Sequence, residues 1–249
     1  MSGHSKWSTI KRQKGVEDKK RGQLFTKLAR AITLAVREGG GVTDPGSNFK
    51  LRLAMDRAKQ SNMPKENMQR AIDRGGGKGS DGEQFQQIVY EGFGPEGVAL
   101  IIETATDNKQ RTSSQIKHVL DRSGGSLGSP GSVSYLFSEQ GLIVVSKESM
   151  SEEDLFNLAV EAGASDVETE EDAYEIYTNR DDLHRVKAKL EESSAHIVEA
   201  DLIHRPTTTV SISQDQKAQK IIALVEELEE LDDVQKVYVN VDFVQSGSS

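Results

Sequence analysis

Apolar residues first acquire a period near Lys19, where Leu24, Phe25, Leu28, Ile32, Ala35 and Val36 recur at the three- and four-residue steps of one helix face. Gly39-Gly40-Gly41 ends that helix. A second is predicted to open at Asp44-Pro45, an N-cap acid followed by proline at the first helical position, with Phe49, Leu53, Ala54 and Ala58 inward. A third begins near Pro64, carries Met68, Ala71 and Ile72, and is expected to stop at Gly75 after Arg74. Residues 1–20 are polar and basic without a period, which predicts a flexible arm that orders on binding.

Residues 75–82 form a linker by composition, and beyond them the pattern changes character. Segments 85–93 and 98–106 read as a hairpin, followed by a helix over 107–122 with Ile116, Val119 and Leu120 inward. The glycine-rich stretch 124–131 breaks regularity. A second hairpin is predicted from 133–137 and 142–146. It leads into a helix opened by Ser151-Glu152-Glu153-Asp154, burying Leu155, Leu158 and Ala159 and stopping at Gly163. Short strands at 166–169 and 174–177, a helix over 181–192 and a strand over 197–203 come next. The chain closes with a strand at 207–213, a helix over 215–231 and a strand over 234–243.

The pieces 84–124 and 206–243 are each near the size at which a core fails without staples, and the sequence has no cysteine to supply them. Joined, they make an α/β sandwich of ordinary size. The expected fold is therefore an α+β multidomain protein: an N-terminal helical domain followed by two α/β sandwich domains, the third inserted into the second, with simple sequential domains as the alternative. The boundaries read as a basic arm over 1–20, a helical domain over 21–80, an α/β domain over 81–130 plus 206–243, an acidic inserted domain over 131–205, and a tail over 244–249.

Charge changes what this architecture is for. Residues 1–80 carry 18 Lys and Arg against 7 Asp and Glu, while residues 81–249 carry 13 against 33. The formal net charge of −9 thus conceals a basic head on an acidic body. A basic head points to a polyanion, most often nucleic acid, and the acidic body restricts how that polyanion approaches. The candidate contacts are Lys6, Trp7, Lys11, Arg12, Lys14, Lys19, Lys20, Arg21, Lys27 and Arg30. The cations neutralise phosphates, and Trp7, the single tryptophan, is placed to stack on an exposed base or to tuck onto the helical domain. Lys50, Arg52, Arg57 and Lys59 on the second helix, with Lys65, Arg70 and Arg74 on the third, either extend this patch or are solvated faces. The acidic domains are the side left for a protein partner.

Other motifs resolve to structure. Gly92-Phe93-Gly94-Pro95-Glu96-Gly97 has the glycine spacing of a dinucleotide fingerprint, but a strand follows it where that motif needs a helix N-terminus, so it reads as a hairpin loop. Asp107 or Asn108 caps the following helix, with Lys109 and Arg111 against the dipole of its first turn. The histidines show no metal spacing, the acidic run 168–172 lacks a calcium-loop pattern and reads as a solvated face, and no catalytic constellation stands out. No enzyme, cofactor or metal is expected, an enzyme acting on a charged substrate being the remote alternative. No apolar run approaches the ~20 residues of a membrane span, and the start lacks a secretory core, so a cytoplasmic protein that does not enter membranes is expected.

A set of motifs in order carries a resemblance. They are Gly3-His4-Ser5-Lys6-Trp7, Lys20-Arg21-Gly22 with Phe25-Thr26-Lys27-Leu28, and Asn62-Met63-Pro64-Lys65 through Ala71-Ile72-Asp73-Arg74-Gly75. Tyr90-Glu91-Gly92-Phe93-Gly94-Pro95, Thr106-Asp107-Asn108 with Arg111-Thr112, and Gly128-Ser129-Pro130-Gly131-Ser132-Val133 continue it. The chain resembles the YebC/PmpR family, related to the mitochondrial translational activator of cytochrome oxidase subunit I. Lys109-Gln110 departs from the family pattern, which has an asparagine before Arg111. The resemblance implies three domains and a role in gene expression rather than catalysis. Its bacterial members imply DNA-binding transcriptional regulation, and its mitochondrial relative implies translation, with RNA of the ribosome as the alternative target.

Overall fold

The periodic apolar face of the N-terminal segment forms α1 (Asp18–Glu38), which packs against α2 (Phe49–Gln60) and α3 (Lys65–Gly75). Leu28, Ile32, Val36, Leu51, Met63, Met68 and Ile72 make their shared core. The computed structural model describes residues 18–77 and 85–244, with side chains from Arg21 onward. The second helix starts later than its proline suggests. Asp44 accepts from the Gly46 N–H and the Ser47 hydroxyl, both at 3.0 Å, in a local turn. Asn48 is the cap instead, accepting from the Leu51 N–H at 3.0 Å while donating to the carbonyls of Ala35 and Val42. Gly75 is likewise not a left-handed stop. It lies in the last turn of α3, where a Cβ would stand 2.7 Å from both the Thr33 carbonyl oxygen and Val36 Cβ. Close approach of α3 to α1 requires it, and the positive φ falls at Gly77.

Beyond the described gap, β1 (Gln86–Phe93) and β2 (Ala99–Thr106) pair antiparallel from Gln86↔Thr106 to Phe93↔Ala99. α4 (Lys109–Arg122) follows, capped by Asn108, whose side chain accepts from the Arg111 N–H. The glycine-rich stretch is not wholly irregular, because β3 (Ser126–Leu127) adds to the end of β1.

The inserted domain occupies Phe137–Thr207 as a compact unit of its own. It comprises β4 (Phe137–Ser146), α5 (Glu152–Ala162), β5 (Asp166–Thr169), β6 (Ala173–Asn179), α6 (Leu183–Glu192) and β7 (Ile197–Pro206), with antiparallel sheet order β5-β6-β4-β7. The hairpin expected within 133–146 does not form; β4 runs straight through Gly141. A Cβ at Gly141 would lie 2.3 Å from Thr178 Oγ1 and 2.8 Å from Leu183 Cβ, so this glycine serves close packing rather than a turn. Ser151 caps α5 and Gly163, at φ +92°, ends it as read from the sequence.

The chain then returns to the second domain with β8 (Val210–Ile212), α7 (Asp215–Glu230), β9 (Val234–Val239) and β10 (Val241–Phe243). β9 completes the sheet order β3-β1-β2-β9, so strands far apart in sequence share one sheet. The expected last strand is broken at Asn240. Its buried side chain accepts from the Ala99 N–H at 2.6 Å and donates to the Thr208 carbonyl, and β10 then pairs parallel with β8.

Candidate nucleic-acid interface

Of the ten nominated side chains, Lys6, Trp7, Lys11, Arg12 and Lys14 lie outside the described residues, and Lys19 and Lys20 are described by helical backbone alone. Arg21 is exposed on α1. Lys27 and Arg30 turn the other way. One helical step apart, they share the side of α1 that meets the end of α7. Lys27 Nζ donates to the Glu229 carbonyl, and Arg30 Nη1 donates to the Asp232 carbonyl and, at 3.0 Å, to Asp233 Oδ1. The Arg30 guanidinium also stands 5.2 Å from the centroid of the Phe85 ring, and Arg37 donates to the Phe85 carbonyl. These two nominated cations therefore have internal partners instead of an open, phosphate-facing position.

Asp233 is the centre of this joint. It is buried, and its Oδ2 accepts from Thr112 Oγ1 at 2.6 Å, Arg111 Nη2 at 2.7 Å and Thr106 Oγ1 at 3.2 Å. Arg111 also pairs with Asp107 at 2.7 Å, which answers the oddity of a cation in a helix's first turn: its guanidinium folds back onto two carboxylates. Thr106 Oγ1 in turn accepts from the Asn108 N–H. Burial opposes ionisation of Asp233, but the Thr112 and Arg111 hydrogen bonds and the charges of Arg111 and Arg30 outweigh it and hold the carboxyl below its ordinary range. Sequence reading missed Asp233, since nothing local marks it.

The other cations of the helical domain divide. Lys50 pairs with Glu38, Arg52 donates to the Pro45 and Gly46 carbonyls, and Lys59 pairs with Asp56. Lys65 and Arg74 are exposed on α3, and Arg70 meets only the neutral Asn67 side chain among its described hydrogen bonds.

A second carboxylate organises the glycine-rich loop. Glu91 accepts from the backbone N–H groups of Gly131, Val133 and Ser134 at 2.7, 2.7 and 2.9 Å. Burial works against its charge, yet these N–H donors hold its carboxyl below the usual value. The tight link from β1 to β2 turns at Glu96 and Gly97, at φ 62° and 74°, whereas Gly92 lies inside β1, where a Cβ would stand 2.9 Å from the Ser126 carbonyl oxygen. In the inserted domain Arg205 stacks 3.7 Å from the Tyr177 ring centroid and pairs with Asp166 at 2.9 Å and Glu168 at 2.5 Å. The acidic run is thus not simply a solvated face. Burial raises the Glu168 carboxyl and the Tyr177 phenol above their ordinary values. The carboxylates of Glu168, Glu170 and Glu175 lie close together, and Arg205 supplies a neutralising charge at Glu168.

A helical domain clasped to a split α/β domain that carries an acidic α/β insertion defines a three-domain α+β protein. The chain belongs to the TACO1/YebC family: residues 5–78 match its "TACO1/YebC protein N-terminal domain" and residues 85–241 its "TACO1/YebC second and third domain". A protein of Persephonella marina named "Probable transcriptional regulatory protein" is 49% identical over 246 residues, covering 98% of this chain and 97% of its own. One of the same name from Pelotomaculum thermopropionicum is 49% identical, covering 97% and 99%. Among solved structures, a conserved hypothetical protein of Aquifex aeolicus aligns with a TM-score of 0.84 at 44% identity, covering 92% of this chain and 93% of its own. The relatives' names support a regulator of gene expression. No helix among the described residues is long and apolar enough to cross a membrane.

Proposed function

We propose that the protein is a cytoplasmic, non-catalytic regulator that binds duplex DNA through its basic arm and the outward side of α1. The carrying observation is the charge split: 18 Lys and Arg against 7 Asp and Glu in residues 1–80, on a body of opposite sign. The names of the bacterial relatives support transcription as the process. The non-catalytic reading is supported by Asp233 and Glu91, whose shifted carboxyls are committed to threonines, arginines and backbone N–H groups. The acidic domain then orients the complex or meets a protein partner. A second reading, contact with RNA of the ribosome, rests on the resemblance to the mitochondrial translational activator of cytochrome oxidase subunit I.

Affinity for duplex DNA is expected to fall with salt on a log–log slope of ~0.9 per phosphate contact, or ~0.7 for single strands. Replacing Lys11, Arg12, Lys14, Lys19, Lys20 and Arg21 by alanine flattens that slope, as read by fluorescence anisotropy across a salt series. An unchanged slope excludes the arm. Crosslinking in cells followed by sequencing of both DNA and RNA separates the two readings: promoter DNA supports the first, ribosomal RNA the second.

A further inference from the structure

Helix α5 of the inserted domain keeps an apolar pair in water. Phe156 and Val160 stand one turn apart, 53% and 56% exposed, while Leu155, Ala159 and Ala162 bury the opposite side of the same helix. Exposed Glu153 and Asn157 share the outward face, with Glu152 and Glu161 beside it. The neighbouring cations are occupied: Arg185 donates to the Ala162 carbonyl and pairs with Asp182, and Lys189 donates to the Glu161 carbonyl. Across residues 137–207 there are 6 Lys and Arg against 18 Asp and Glu. A large aromatic held outward among carboxylates that have no ion pair among the described residues suits one half of an interface.

We propose that the outward face of α5 docks a basic amphipathic segment of a partner protein. Phe156 and Val160 receive its apolar residues, and Glu153 and Glu161 its lysines or arginines. Charge decides the occupant. A second copy of this chain paired through the same face would set Glu152, Glu153 and Glu161 against themselves, and nucleic acid is repelled in the same way. The proposal rests on the acidic domain being the protein-facing side of the regulator. Its readout is independent of the arm's affinity for DNA, so the two fail separately.

The test measures fluorescence anisotropy of a labelled leucine–lysine peptide about five helical turns long, titrated with the full chain. A scrambled peptide of the same composition without an apolar face is the control. Phe156→Ser with Val160→Ser, both at exposed positions, is expected to weaken binding at least about tenfold. Glu153→Lys with Glu161→Lys is expected to weaken it as strongly, and circular dichroism melts verify that both variants stay folded. Equal affinity for the scrambled peptide, or unchanged affinity in the serine variant, overturns the proposal. So does self-association lost with Phe156→Ser, or tighter binding of a peptide of residues 1–17 than of the amphipathic probe, because the occupant is then this chain itself.

Discussion

Replacing Asp233 by asparagine tests whether the helical domain is fixed to the split α/β domain by charge. The substitution keeps the shape and removes the anion. Either amide orientation then sets an N–H₂ against a donor, Arg30 on the Oδ1 side or Arg111 and Thr112 on the Oδ2 side. A hydrogen bond to a charged group contributes about 1.5–3 kcal/mol. The Arg30 side chain is 17% exposed and earns nearly the whole of that, whereas Arg111 at 43% is screened to below about 1 kcal/mol. With the Thr112 hydroxyl left facing the wrong partner, the loss comes to about 3 kcal/mol, the low end for breaking a buried pair. In a chain of this size that lowers Tm by roughly 6–12 °C. Because several domains melt, hydrogen exchange in α1 and β9 should localise the loss. The Asp233 carboxyl is depressed, so its contribution is full above the unfolded aspartate value of about 3.9 and is lost as pH falls through the folded one. Asp233→Asn therefore flattens that acid limb. A double-mutant cycle with Arg30→Gln should give coupling of at least about 1 kcal/mol. Stability within about 0.5 kcal/mol of the parent, or strict additivity in the cycle, refutes the clasp.

Glu91→Gln should raise amide exchange at Gly131, Val133 and Ser134, whose N–H groups it receives, and cost about 1–3 kcal/mol in urea unfolding. Its depressed carboxyl gives the same sign as Asp233, with stability lost as pH falls through the folded value, and the glutamine variant should lack that acid loss. Gly75→Ala, which improves helix propensity, should nonetheless destabilise by about 1–3 kcal/mol, because its methyl meets the Thr33 carbonyl oxygen and Val36 Cβ at 2.7 Å. A stabilised alanine variant in a thermal melt would show that α3 and α1 are free to separate there.

The long periodic elements were legible because each carries its own apolar face: α1, the β1–β2 pair, α4 and α7 all form close to where their spacing puts them. The errors share one cause, a local signal decided by a distant partner. Asp44 and Asn48 are both good caps, and Asn48 wins because the Ala35 and Val42 carbonyls fall within reach of its amide. Gln140-Gly141 looks like a turn until Thr178 and Leu183 are packed against it. Asp233 sits in an unremarkable acidic stretch, and its partners Arg30 and Arg111 lie far back along the chain. The family motifs gain reasons here: Glu91 of one clasps the Gly128–Val133 loop of another, and the Thr106–Thr112 run supplies three of the groups around Asp233.

α1 is therefore two-sided. Its inner cations Lys27 and Arg30 tie the helix to the chain around Glu229 to Asp233, while Arg21 stands exposed on the same helix. A phosphate competing for Arg30 would have to displace a contact that contributes about 2 kcal/mol and strand a buried carboxylate, whereas an exposed ion pair returns about 1 kcal/mol or less. The exchange is unfavourable, so a polyanion taken up by the arm is expected to leave the clasp closed. Alanine at Arg30 would then lower affinity only by loosening the domain, without changing the number of counterions released. Alanines in the arm would flatten the salt slope at constant stability. A flatter slope from Arg30→Ala alone, in protein whose melting is unchanged, would move Arg30 to the phosphate-facing side.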